Sequence, residues 1–273
     1  MKVYISADME GITGIVDTTF IDSGALNYRR GQELMTDETN HVIKAAFGCG
    51  VDEVIVNDSH SKMNNLLIEK LHPDTQLISG DVKPYSMVQG LDDSFDGAAF
   101  IGYHSRASKK GVLSHSMFLN VRHFYINDQI VGELGLNAYV AGHFGVPLLL
   151  VAGDDETAVE AEELIPGVTT AIVKKQISRT SAHCLTPKKS EELLCEKTAE
   201  ALRNKDRVNP LTPPKNPVFK IEFANYGQAE WAYLMPGTKL EGETTVSFPA
   251  KDMLEAYQAM LVMTELASRA SFS

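Results

Sequence analysis

Asp8 and Glu10 stand two residues apart in Ser6-Ala7-Asp8-Met9-Glu10-Gly11. In extended backbone, side chains at that spacing point the same way. Two carboxylates held together repel unless a proton or a cation sits between them. His60 in Asn57-Asp58-Ser59-His60, His104 in Gly102-Tyr103-His104 and Glu133 in Gly132-Glu133-Leu134 add two imidazoles and a third carboxylate. A mixed oxygen and nitrogen donor set suits zinc, with manganese and iron as other candidates. Five donors exceed one tetrahedral zinc but suit two ions that share a carboxylate, and Asp8 is the best placed to be shared. Such paired ions sit roughly 3.5–4 Å apart and activate water for hydrolysis.

Each residue also has a plain structural reading. Asp8 and Glu10 fit a loop cap and a surface charge. His60 fits a turn, because Asn57, Asp58 and Ser59 all favour turns. His104 fits a satisfied strand end, and Glu133 a helix start favoured by the dipole. No compact HExxH motif is present. His115, between Ser114 and Ser116, has the chemistry of a general base or a stabiliser of a tetrahedral intermediate. Its alternative is a polar loop residue or a support for a metal ligand. No GxSxG elbow accompanies the two serines. Arg106, Arg122 and Lys62 are candidates for a substrate carboxylate or simply solvated surface. His41, His72, His123, His143 and His183 are assigned no role.

These side chains need elements that bring them together. Residues 3–7 form an apolar run that ends at Asp8 and predicts a buried strand; residues 9–14, with two glycines, predict a loop. Residues 33–48 carry Val42, Ala45, Ala46 and Phe47 on one side of a helix. Residues 52–56 predict a strand running into His60, and residues 97–102 another running into His104. Strands alternating with helices predict a parallel sheet, which binds ligands at the carboxyl ends of its strands. Strand-like runs at 122–126 and 129–131 predict a hairpin that delivers Glu133 to a helix over 134–144. Residues 147–152 predict a further buried strand, followed by Gly153-Asp154-Asp155.

Beyond it, Thr186-Pro187 predicts a capped helix start running to about 204. Four prolines in residues 210–217 predict an extended connection. Residues 218–223 and 246–248 predict strands. A final helix over 251–269 is expected to show Met253, Leu254, Tyr257, Leu261 and Thr264 on one face. The expected fold is α/β, with a mostly parallel central sheet, flanking helices and a smaller C-terminal α/β portion. The boundary is placed at 152, with residues 1–152 as the metal-binding domain and 153–273 as the C-terminal portion.

Of 273 residues, 44% are hydrophobic and 22% charged, which supports a sizeable core. A net charge of -11 disfavours nucleic acid and anionic membranes as partners. Cys49, Cys184 and Cys195 are odd in number, with no CxxC spacing, so neither a disulfide framework nor a cysteine zinc site is expected. The N-terminus has no signal-peptide pattern and no apolar run reaches membrane-spanning length. A cytoplasmic protein is the expectation.

Several segments resemble the bacterial D-aminopeptidases associated with dipeptide-transport operons. The segment at residues 6–11 matches that family's S-x-D-x-E-G signature. Residues 57–65, 102–108, 114–117, 122–128, 132–142, 220–231 and 251–267 are also similar to it, so the resemblance spans essentially the whole chain. It implies a two-zinc metallopeptidase releasing N-terminal residues, with D-amino acids preferred. By resemblance, Asp8, Glu10, His60, His104 and Glu133 hold the two Zn²⁺ of each subunit, with Asp8 bridging, and His115 is catalytic. It further implies a ring-shaped homodecamer with its sites facing an internal chamber. The expected substrate is a short peptide or amide. Rival readings are another metal-dependent amidase or esterase, a peptide-binding protein with a structural metal, and an interaction scaffold with no metal.

Overall fold

Short apolar runs, bounded by glycine and polar turns, become the buried strands of the molecule. The computed structural model describes residues 1–270. In chain order it contains β1 (Lys2–Ala7), α1 (Tyr28–Gly48), β2 (Glu53–Asp58), β3 (Gln76–Ile78), β4 (Gly97–Tyr103), β5 (Val121–Ile126), β6 (Gln129–Val131), α2 (Glu133–His143), β7 (Leu148–Asp154) and α3 (Asp155–Leu164). These are followed by β8 (Thr169–Ser178), β9 (Ser181–Cys184), α4 (Pro187–Arg203), β10 (Val218–Phe223), α5 (Tyr226–Tyr233), β11 (Lys239–Leu240), β12 (Thr245–Pro249) and α6 (Met253–Ala267).

The larger sheet has the order β3-β2-β1-β4-β7-β8-β9, with every neighbouring pair parallel except β8 and β9. Every residue of β4 and β7 is buried, as expected for parallel strands covered on both faces. Helices α1 and α4 pack on each other, while α2 packs against β4 and α6. The expected α/β class with a mostly parallel central sheet is therefore correct. A second, antiparallel sheet has the order β11-β12-β10-β5-β6. It joins the hairpin that leads to Glu133 to strands formed almost a hundred residues later. Each sheet draws strands from both sides of residue 152, which itself lies inside β7.

Some local expectations shift. Helix α1 starts at Tyr28, earlier than residue 33, and buries Met35, Val42, Ile43 and Ala46. Thr186 precedes α4, with Pro187 in its first turn, but its side chain makes no capping hydrogen bond. The buried face of α6 is Met253, Ala256, Tyr257, Met260, Met263 and Thr264. Leu254 and Leu261 are only half-buried at its margin.

What the site requires of the fold is the edge between β1 and β4. Strand order runs outward in both directions from this pair, which makes it a topological switch point, where α/β sheets open a crevice. The pairing register sets Ala7 beside both Asp58 and Ile101. The backbone N–H groups of Asp8 and Gly11 donate to the carbonyls of Ile101 (2.8 Å) and Gly102 (2.7 Å). This approach leaves no room for side chains. A Cβ on Gly11 would lie 2.0 Å from the Tyr103 carbonyl oxygen, and one on Gly102 2.1 Å from that of Asp8. Gly11→Ala must therefore push the two strand ends apart. We expect it to cost roughly 1–3 kcal/mol, measured as a lower midpoint in denaturant or thermal unfolding.

Candidate metal centre

Each expected ligand leaves a strand end or a helix start. Asp8 follows β1, His60 lies two residues beyond β2, His104 follows β4, and Glu133 opens α2. The fold brings all four regions to one point. Asp8 Oδ1 is 3.3 Å from His60 Nδ1, and Asp8 Oδ2 is 3.6 Å from His104 Nε2. Glu10 Oε2 is 3.0 Å from His60 Nδ1. Glu133 Oε2 is 3.4 Å from His104 Nε2. His115 closes the group, with its Nε2 4.0 Å from Glu10 Oε1 and 3.9 Å from Glu133 Oε1. The His104 and His115 rings stack at 4.2 Å between centroids, 7° from parallel.

The outward nitrogen of each imidazole is fixed to the main chain. His60 Nε2 lies 3.0 Å from the Ile21 carbonyl, His104 Nδ1 3.1 Å from that of Ser105, and His115 Nδ1 2.8 Å from that of Leu113. A carbonyl only accepts, so these nitrogens carry hydrogen and donate it. The inward nitrogen of every ring is thereby turned toward carboxylates. It must either carry a second proton or offer its lone pair to a cation. Backbone anchoring of this kind orients metal-binding histidines.

The carboxylates point to the same requirement. Asp8, Glu10 and Glu133 are all buried. Asp8 Oδ2 and Glu10 Oε2 are buried with no hydrogen-bond partner; the short Glu10–His60 separation is a close approach without hydrogen-bond alignment. An orphaned buried carboxylate oxygen is costly unless a cation meets it. Atoms of Asp8, Glu10 and His104 all lie within 4.8 Å of one another, as do atoms of His104, His115 and Glu133. The donor set therefore fits divalent cations, and Asp8 faces His60 and His104 with different oxygens, an arrangement compatible with a shared carboxylate.

Without metal, protons take the cations' place. Burial, aided by the Glu10 charge, pushes Asp8 up to about 8. Burial opposes ionised Glu10 too, but His60 outweighs it and holds Glu10 well below the ordinary carboxylate range. Burial likewise opposes charge on His104, yet Glu133 and Asp8 lift it to about 10. His115 differs: burial and the neighbouring His104 charge push it below the usual histidine value.

Supporting residues complete the pocket. Asp58 accepts the backbone N–H groups of Asn65 (2.5 Å) and Leu66 (2.7 Å), folding the turn after His60. Asp154 Oδ2 accepts the N–H of Val112 (2.6 Å), while its Oδ1 caps α3 through Thr157. The Met117 N–H donates to Glu133 Oε1 (2.5 Å). Asp58 and Asp154 have no role in the sequence reading above; their only local signal is an aspartate at a buried strand's carboxyl end. Arg106, Arg122 and Lys62 stand outside the cluster. The Arg106 guanidinium donates to the Ala107 carbonyl (3.3 Å), Arg122 lies 4.0 Å from Glu222, and Lys62 is exposed.

Comparison with known proteins places the chain in a family. The chain matches the model of peptidase family M55, D-aminopeptidase, over residues 1–262. It is 69% identical to a D-aminopeptidase of Bacillus subtilis (strain 168) over all of both chains. A solved structure with TM-score 0.99, 69% identity and full coverage of both chains is that of the Zn-dependent D-aminopeptidase DppA from Bacillus subtilis, described as a self-compartmentalizing protease.

Because the raised groups must lose protons before a cation is held, zinc added to metal-free protein at neutral pH should release protons. Uptake should weaken as pH falls from 8 to 6. Indicator absorbance in weakly buffered solution checks the release; a zinc isotherm unchanged over that range would contradict it.

Proposed function

The chain belongs to the M55 D-aminopeptidase family, and from that premise we propose that it removes an N-terminal D-amino acid from short peptides or amides, using two zinc ions per subunit. The family is one of peptide-bond hydrolases. The observation that carries the metal reading is the convergence of three carboxylates and three backbone-anchored imidazoles, with Asp8 Oδ2 and Glu10 Oε2 buried and unpartnered.

Asp8, Glu10 and His60 would hold one ion and Asp8, His104 and Glu133 the other. Zinc bound there supplies Lewis acidity toward the scissile carbonyl and acidifies water. Three carboxylates against two Zn²⁺ leave about one positive charge, which suits a site where an oxyanion develops. The remaining work falls to the chain's own groups. His115 Nδ1 donates to the Leu113 carbonyl, and its Nε2 stays 4.0 Å from Glu10 and 3.9 Å from Glu133, farther than His60 and His104 stand from their nearest carboxylates. Burial and the positive charge beside it favour its neutral form, so at neutral pH its Nε2 is free to take a proton and pass it to the leaving amine. Its side chain is 17% exposed, against 2% for His104, so it is the imidazole a substrate reaches.

The support for an enclosed assembly is a run of exposed apolar side chains on and beside α5: Tyr226, Trp231, Tyr233, Leu234 and Leu240. Exposed patches of this kind mark contact surfaces. We assign them to contacts between copies in a homodecamer whose chamber admits only short peptides. No described helix is long and apolar enough to cross a membrane. Free thiols at Cys49, Cys184 and Cys195 fit a reducing cytoplasm.

Chelation should abolish turnover and zinc restore it. His115→Ala should lower kcat by about 10²–10⁴-fold while metal content, read by elemental analysis, stays near two per subunit; loss of zinc would make His115 a ligand instead. The measurement is a panel of D- and L-aminoacyl p-nitroanilides, short peptides and esters. Preference for L-substrates or for esters would overturn the substrate assignment. For the assembly, Trp231→Glu with Leu234→Glu should give smaller species by native mass spectrometry, and an unchanged mass would overturn the surface assignment.

A further inference from the structure

Glu10 does not sit in a regular element. It lies in residues 8–15, between the end of β1 and a long irregular stretch before α1, so something other than a helix or strand must fix it. Beneath it lies Lys174 of β8, 1% exposed. An ammonium group has three donors and no acceptor. Lys174 Nζ donates to the carbonyl oxygens of Glu10, Ile12 (2.9 Å) and Ile15 (2.6 Å). All three donors are used, and all go to the main chain of one short segment. Among the described residues, Lys174 forms no ion pair within 4.0 Å.

A buried charge without a counter-ion is costly, and a salt bridge would be the ordinary way to offset it. Here the compensation comes from three carbonyl dipoles turned inward on one point. Those dipoles would repel one another without a cation at their centre. A neutral amine has only two N–H donors and a lone pair, so three carbonyl acceptors about one nitrogen are met in full only by the ammonium form. The loop is pinned from other sides as well. The Gly11 N–H donates to Gly102, the Thr13 N–H to Glu38 Oε1 (3.3 Å), and Thr13 Oγ1 to the carbonyls of Leu185 (2.7 Å) and Val173 (3.2 Å). Only Lys174 ties several turns of the loop to one atom, and one of those ties is to Glu10 itself.

We propose that Lys174 is a positioning residue for the metal centre, its buried ammonium winding residues 10–15 about itself and so setting the Glu10 carboxylate before any zinc arrives. The proposal rests on the two-zinc reading above. Its action is through Glu10, not through the reacting atoms. Removing the ammonium while keeping the apolar stem frees three carbonyls to turn toward water and lets Glu10 drift from His60. The ion held by Asp8, Glu10 and His60 should weaken, and the one held by Asp8, His104 and Glu133 should be kept.

The test compares metal-free wild type, Lys174→Met and Lys174→Arg, titrated with zinc against a chromophoric chelator and with Co²⁺ as a spectroscopic substitute. Lys174→Met should bind one of two ions roughly 10–100-fold more weakly and alter the Co²⁺ absorption of that ion alone. Lys174→Arg, which keeps charge and donors, should recover part of the loss. Wild-type affinity and spectrum for both ions in Lys174→Met would overturn the proposal. A second measurement needs no variant. In metal-free wild type, the amides of Gly11, Ile12, Thr13 and Ile15 should exchange slowly with deuterium. Rapid exchange that slows only on adding zinc would mean that the metal orders the loop, and would overturn the proposal even if Lys174→Met fails to fold. A wild type that takes up no zinc at all would instead reject the two-metal reading, and the exchange experiment would still decide the role of Lys174.

Discussion

Three carboxylates and the inward nitrogens of three imidazoles share one buried pocket at the β1/β4 edge, and the rest of the structure answers to that crowding. Like charges this close and this buried separate unless positive charge is brought among them. The molecule meets the demand twice. Inside the pocket it holds protons in the metal-free state, in the place proposed for zinc. Outside, the protein spends its rigidity on preventing escape. Each imidazole is tied to a main-chain carbonyl, Glu133 accepts a hydrogen bond from Met117, and the loop bearing Glu10 is drawn onto Lys174.

The supporting shell follows the same logic. Asp58 and Asp154 lie at the carboxyl ends of β2 and β7, where a ligand is expected, yet neither faces the pocket's donors. Each gathers backbone N–H groups and so folds the turn that carries a histidine: Asp58 the one after His60, Asp154 the one between His104 and His115. A carboxylate that spends its oxygens on backbone N–H groups outside the pocket adds no acidic group inside it. That division keeps the pocket at three acidic groups, low enough for two divalent ions to exceed.

Much of this was legible in the sequence where local pattern and tertiary role coincide. Residues 3–7 and 97–103 are apolar and bounded by polar residues, so the strands and the positions of Asp8 and His104 follow directly. Asn127-Asp128 marks the β5–β6 turn, and Glu133 follows from it. Other parts lack a local signature. His115 lies in a loop whose Ser108, Leu113 and Met117 adopt positive φ, a path that no periodicity encodes, so its residue type made it a candidate while its place beside the carboxylates was not readable. Lys174 stands beside Lys175 and Gln176 and breaks the alternation of β8, so the strand escaped notice. Its three acceptors lie some 160 residues earlier in the chain. Helix α5 was readable in principle, since Asn225 and Gln228 form a capping box, but its low amphipathicity hid it.

The interleaving of the two sheets has a consequence for how the molecule is made. Among the described residues, strand β6, which leads into Glu133, pairs with β5 alone, and β5 finds its other neighbour in β10. A lone two-stranded hairpin is marginal in water. During vectorial synthesis, Asp8, Glu10, His60 and His104 leave the ribosome early, while the strand that steadies the fifth donor follows about eighty-five residues after it. Until β10 is made, the hairpin that leads into Glu133 lacks its outer neighbour, so the part of the pocket that closes last is steadied by a segment far along the chain.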